Sequence, residues 1–118
     1  MEVPPAFAQA VEQFNQGEYY ACHDTLEALW YDAPEPQRTL YQGLLQIAVA
    51  GYHYRHGNYR GATLLLAEGL TRLRRCPELP TNWDFTALVN QAQTLLTVLQ
   101  QPPSTALPPF DLTLPRQS

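Results

Sequence analysis

Lysine is absent from the chain. All seven basic residues are arginine, charged residues of both signs make up only 15% of the 118 residues, and the formal net charge is −4. With no basic field to gather phosphates, neither nucleic acid nor an acidic membrane surface is expected as a partner. Cysteine is scarce as well. Cys22 and Cys76 are too few for a disulfide scaffold, and neither belongs to a Cys-x-x-Cys pair. Cys22 lies inside an apolar helical pattern, where a small core residue is expected rather than a nucleophile. No apolar run approaches the roughly 20 residues that span a bilayer. Met1-Glu2-Val3-Pro4-Pro5 has none of the pattern of a signal peptide, so a soluble cytoplasmic domain is expected.

Two further absences concern chemistry and fold. There is no GxGxxG, Walker or Gly-x-Ser-x-Gly pattern, hence no phosphate-cradling loop or nucleophile elbow to read. Sustained period-two alternation is missing except from Leu107 to Leu114. An all-α fold follows, a compact bundle of about five helices.

What the chain does have is helical periodicity between clear punctuation. The first helix is expected from about Pro4 to Gln16, with Phe7, Ala10, Val11 and Phe14 as one apolar stripe and Gly17 as its left-handed end. The second runs from about Glu18 to Tyr31, and Tyr19, His23, Leu26, Glu27 and Trp30 are read as its inner face. The third, about Pro36 to His56, is almost free of charge between Arg38 and Arg55 and reads as a central, covered helix. His56-Gly57-Asn58 reads as a cap followed by an N-cap. The fourth helix carries Leu65, Leu66, Gly69, Leu70 and Leu73 and ends in Arg72, Arg74 and Arg75, matched to its dipole. Gly61 and Ala62 are read as permitting close packing. Thr81-Asn82-Trp83-Asp84 resembles a capping box for a fifth helix that ends near Gln100. Residues 1–101 are thus expected as one helical domain. Residues 102–118, rich in proline, are expected as an extended strap whose Phe110, Leu112 and Leu114 dock on the bundle or on a neighbouring subunit.

A shift of forty residues superposes Phe14 on Tyr54, Gly17 on Gly57, Tyr19 on Tyr59 and Leu26 on Leu66. The pattern resembles the helix-turn-helix unit of tetratricopeptide-type repeats, here as two stacked hairpins.

One polar constellation stands out. His23 and Glu27 are four apart, with Trp30 on the same face, while Gln42, Gln46 and His53 form a stripe on the third helix. Docking the two stripes gives a cluster of His, Glu, Gln, Gln and His. Such a cluster can be a satisfied hydrogen-bond network that locks two helices. His23, Glu27 and His53 can also be read as three N/O ligands for a divalent metal such as Zn²⁺ or Mn²⁺. A third reading makes Glu27 a base and His23 or His53 an acid.

The motifs His23-x-x-x-Glu27-x-x-Trp30, Gln42-Gly43-x-x-Gln46 and Gly57-Asn58-x-x-Gly61-Ala62 resemble those of domain-of-unknown-function family 309, over roughly Phe14 to Arg75. The resemblance implies a small all-helical domain and singles out these residues, with Gly57, Asn58 and Gly61 at the turn. Asp24 stands where that family usually has Glu. The resemblance brings no reaction with it. A non-enzymatic interaction or scaffold protein is expected, with no cofactor, acting as a homodimer or with another protein. The alternative is a small metal- or ligand-dependent enzyme, hydrolase-like, centred on His23, Glu27 and His53.

Overall fold

The computed structural model describes residues 1–102 and 106–117. Five helices follow in order: α1 (Pro5–Asn15), α2 (Tyr19–Tyr31), α3 (Gln37–Arg55), α4 (Tyr59–Arg75) and α5 (Phe85–Leu99). Among the described residues the only β-type pairing is an isolated bridge between Trp83 and Arg116. The fold is an all-α bundle.

Local chemistry sets the turns. Proline opens α1, where the missing N–H has no intrahelical partner to lose. Gly17 and Gly57, forty residues apart, both take φ of +76°, a conformation costly for any residue with a Cβ. Each lets a hairpin reverse in three residues. Asn58 then caps α4 by accepting from the Gly61 N–H at 3.0 Å. A Cβ on Gly61 would sit 2.6 Å from the Asn58 amide nitrogen, so Gly61 serves the cap rather than the close packing expected of it. The close packing falls elsewhere. Gly43 and Gly69 let α3 and α4 cross closely, since a Cβ on Gly69 would lie 2.8 Å from the Gly43 carbonyl oxygen.

The start of α5 differs from expectation. The N-cap is Asp84, whose side chain accepts from the Ala87 N–H at 3.0 Å, and not Thr81. The reason is tertiary. Trp83 is buried against Phe7, with ring centroids 5.1 Å apart, and its backbone is drawn toward the C-terminal segment, so the helix cannot begin before Phe85.

Each helix packs chiefly on its neighbours in sequence, α1 on α2, α2 on α3, α3 on α4 and α4 on α5. The middle of this stack is α3, whose Leu40, Leu44, Ile47, Ala48 and Ala50 have no solvent exposure. The expected strap falls partly on residues 103–105 and 118, which lie outside the described residues. Residues 106–117 have no helix and lie against the chain's own bundle. Phe110, Leu112 and Leu114 are buried and Asp111 faces out.

Candidate functional site

Helix α2 is turned by about one residue from the face expected for it. Tyr19, Cys22 and Leu26 point into the core, whereas His23 is half-buried and Glu27 exposed. Solvation explains the turn. A carboxylate loses far more than a thiol on leaving water, so Cys22 goes inside and Glu27 stays out. Burial pushes the Cys22 thiol from its ordinary value of 9.0 up to about 12.

The six polar residues of the expected cluster accordingly go to different places. His23 lies between two carboxylates, Nδ1 at 3.1 Å from Asp24 Oδ1 and Nε2 at 3.4 Å from Glu27 Oε2. Trp30 sits at the α2–α3 turn under the Arg38 guanidinium, 3.8 Å from its ring centroid. Arg38 also donates to the Trp30 carbonyl at 3.2 Å, closing the end of α2. Gln46 turns toward α4. It is the one buried polar side chain among the described residues, donating to Glu68 at 2.9 Å and accepting from Arg72 at 3.1 Å. Gln42 is half-buried beside it on α3. Among the described residues no three His, Cys, Asp or Glu side chains converge as a metal-holding group.

His23 and His53 do come together. With Tyr19, Tyr20, Val49 and Tyr52 they line a cavity of about 230 Å³ between α2 and α3. Tyr20 meets His23 at 5.7 Å and Tyr52 edge-on at 5.4 Å between centroids. His56 lies against Tyr52 at 4.3 Å, so all three histidines of the chain share this face. Asn58 turns its amide nitrogen to His53 Nδ1 at 3.3 Å, so the cap of α4 also orients this ring. The cavity is smaller than the roughly 300 Å³ where small-molecule sites begin. Its aromatic walls and imidazoles suit a single side chain.

The side chains that hold the C-terminal segment were not legible in the motifs. Asn15, at the end of α1, accepts from the Leu114 N–H at 2.7 Å and donates to the Leu114 carbonyl at 3.0 Å. Gln91, on α5, does the same for Thr113, at 3.1 and 3.2 Å. Two side-chain amides thus treat the segment as a neighbouring β-strand would, pairing both groups of consecutive residues. The Asp84 N–H donates to the Pro115 carbonyl at 2.8 Å, the Gln117 N–H to the Asn82 carbonyl at 2.9 Å, and the Tyr54 hydroxyl to the Pro108 carbonyl. Burial holds the Tyr54 hydroxyl above its ordinary pKa and so keeps it a donor. Phe110 fits between Tyr19 and Tyr54, at 5.3 and 5.6 Å, over Gly51, where any Cβ would come within 2.8 Å of its ring. The only sequence signal for this site was the alternation of Phe110, Leu112 and Leu114.

Comparison with known proteins gives a context for these residues. A family model described as "Domain of unknown function (DUF309)" matches residues 7–65, from α1 into α4, leaving α5 and the C-terminal segment outside. A Bacillus subtilis (strain 168) protein named "Uncharacterized protein YpuF" is 36% identical over 73 residues, 60% of this chain and 42% of that protein. An Aquifex aeolicus (strain VF5) protein named "Uncharacterized protein" is 27% identical over 71 residues, 59% of this chain and 21% of that protein. The matched stretch therefore spans less than half the length of either relative.

Proposed function

The chain belongs to the DUF309 family, and on that footing we propose that it is a non-enzymatic interaction module whose groove binds an extended polypeptide segment. The observation that carries this reading is the paired grip of Asn15 and Gln91 on the backbone of Thr113 and Leu114. Backbone pairing supplies affinity without regard to sequence, and the sockets for Phe110, Leu112 and Leu114 supply selectivity at alternate positions. In this structure the groove holds the chain's own C-terminal segment. The face bearing His23, His53, Tyr20 and Tyr52 offers a second place for a partner side chain, since Tyr20 is 61% exposed and tyrosine is favoured at interfaces. A cytoplasmic setting fits two free, buried thiols.

The test uses a labelled peptide with the sequence of residues 106–117 and a full-length Leu112→Asp variant whose own segment seats poorly. Fluorescence anisotropy is expected to show saturable binding to this variant and weaker binding to the parent. Adding Asn15→Leu should abolish it. A variant that keeps its helical circular dichroism but does not bind the peptide sinks the reading.

A further inference from the structure

We propose that the polypeptide this groove takes is the C-terminal segment of a second copy, so that two chains exchange residues 106–117 and each completes the other's bundle. The inference rests on the groove reading above and goes beyond it by naming the occupant.

Among the described residues, the contacts that seat the segment lie between residues 108–117 and the bundle: Asn15, Tyr54, Asn82, Asp84 and Gln91 hold its backbone, and Phe110 rests on Tyr19. A second copy offers the identical set. What distinguishes a chain's own segment from its partner's is therefore the connection from α5 alone. Of the described residues of that connection, Gln100, Gln101, Pro102, Ala106 and Leu107 are all exposed and add little to the seat.

Two features of this stretch favour exchange. Four of the ten residues from 100 to 109 are proline, at 102, 103, 108 and 109. Proline fixes φ and removes donors, so a sequence of this composition favours extended over compact conformations. Hinge segments that make few contacts of their own are where identical elements are traded between copies. Beside the connection, a hollow of about 440 Å³ separates Asn90, Thr94 and Val98 of α5 from Pro108, Pro109 and Asp111. Val98 in this hollow is 38% exposed, and Leu107, next to Pro108 in the chain, is 37% exposed. In an exchanged pair the two connections pass each other at this point, and the apolar side chains of both copies gain a cover that one chain cannot give them. Against this stands the local concentration of a tethered segment, on the order of millimolar for a short linker. Exchange is accordingly expected in concentrated protein and single chains in dilute protein.

The experiment is light scattering and native mass spectrometry on the full chain refolded from urea at about 5 µM and at about 500 µM. The concentrated sample is expected to contain a species of twice 13.4 kDa that relaxes to single chains only slowly after dilution. A Leu112→Asp chain, with its groove intact, mixed with an Asn15→Leu, Gln91→Leu chain, with its segment intact, is expected to give a heterodimer that neither forms alone. Replacing Pro102 and Pro108 by glycine should reduce the dimer several-fold. A parent that stays a single chain at both concentrations overturns the exchange, and so does a dimer that persists in the Leu112→Asp chain alone. The groove reading stands or falls separately, on whether the labelled peptide binds. Should Leu112→Asp fail to fold, the parent and the proline variant still decide the outcome.

Discussion

Glu27 and Gln46 both belong to the polar motifs, yet their surroundings set them apart. The Glu27 side chain is 61% exposed, and its one polar partner among the described residues is His23, at 3.4 Å. Gln46 is 6% exposed and its amide sits between a carboxylate and a guanidinium of α4. Truncating an exposed acid costs little, because water replaces its contacts. Removing the Gln46 amide strips two charge-assisted bonds at once. Gln46→Leu is therefore expected to cost about 1–2 kcal/mol, and Glu27→Ala to leave the urea midpoint unmoved. A larger loss for Glu27→Ala would overturn this ordering. The thiols and phenols make a second expectation. Burial raises the Cys22 thiol to about 12 from 9.0 and is the first cause lifting Tyr19, Tyr41 and Tyr54 above 10.0. The folded chain thus keeps protons that the unfolded chain releases, so this contribution to stability is whole below pH 9 and is lost as pH rises toward 12. Urea midpoints should stay level from pH 7 to about 8.5 and fall beyond about 9.5. At pH 8 a disulfide reagent should leave Cys22 unmodified until the chain unfolds.

At the scale of elements, the α3–α4 crossing is set by two glycines rather than by interlocking side chains. A Cβ on Gly69 meets Ile47 Cγ1 at 2.7 Å and the Gly43 carbonyl oxygen at 2.8 Å, and the second of these is backbone that cannot turn aside. Gly69→Ala gains helix propensity of about 1 kcal/mol but forces the helices apart. Overpacking of about 1–3 kcal/mol should win, and a lower thermal midpoint than the parent's is the expected reading. The helices and their turns were legible because Gly17, Gly57 and Asn58 act within one turn of chain. The face of α2 was not, because two stripes one residue apart, Tyr19-Cys22-Leu26 and Tyr19-His23-Leu26-Glu27, share residues, and only solvation of the carboxylate separates them. The same holds for Asp84, whose capping role was set by where Trp83 had to be buried. The candidate site was legible only in part. His23 and His53 line one cavity, but Glu27, Trp30 and Gln46 serve three different neighbours.

For the molecule as a whole, the C-terminal segment changes what kind of object the stack is. Helices that touch mainly their sequence neighbours make an array whose ends can open independently. Residues 106–117 cross that order, since Asn15 belongs to α1, Tyr19 to α2, Tyr54 to α3 and Gln91 to α5. No local pattern announces an amide that catches a backbone 99 positions away, which is why Asn15 and Gln91 escape a reading of the sequence. Leu114 is the place to test the consequence. It has no solvent exposure, and Asn15 pairs both of its backbone groups. Leu114→Ala should cost about 2–5 kcal/mol as a buried leucine truncation. Because its backbone bonds survive the change, the loss reports packing alone. Asn15→Leu removes the bonds and keeps the packing. If the segment closes the array, both changes should expose the amides of α1 and α5 to hydrogen exchange before those of α3, which both sequence neighbours still cover. Exchange that rises evenly over all five helices would mean that the stack holds its ends without the segment.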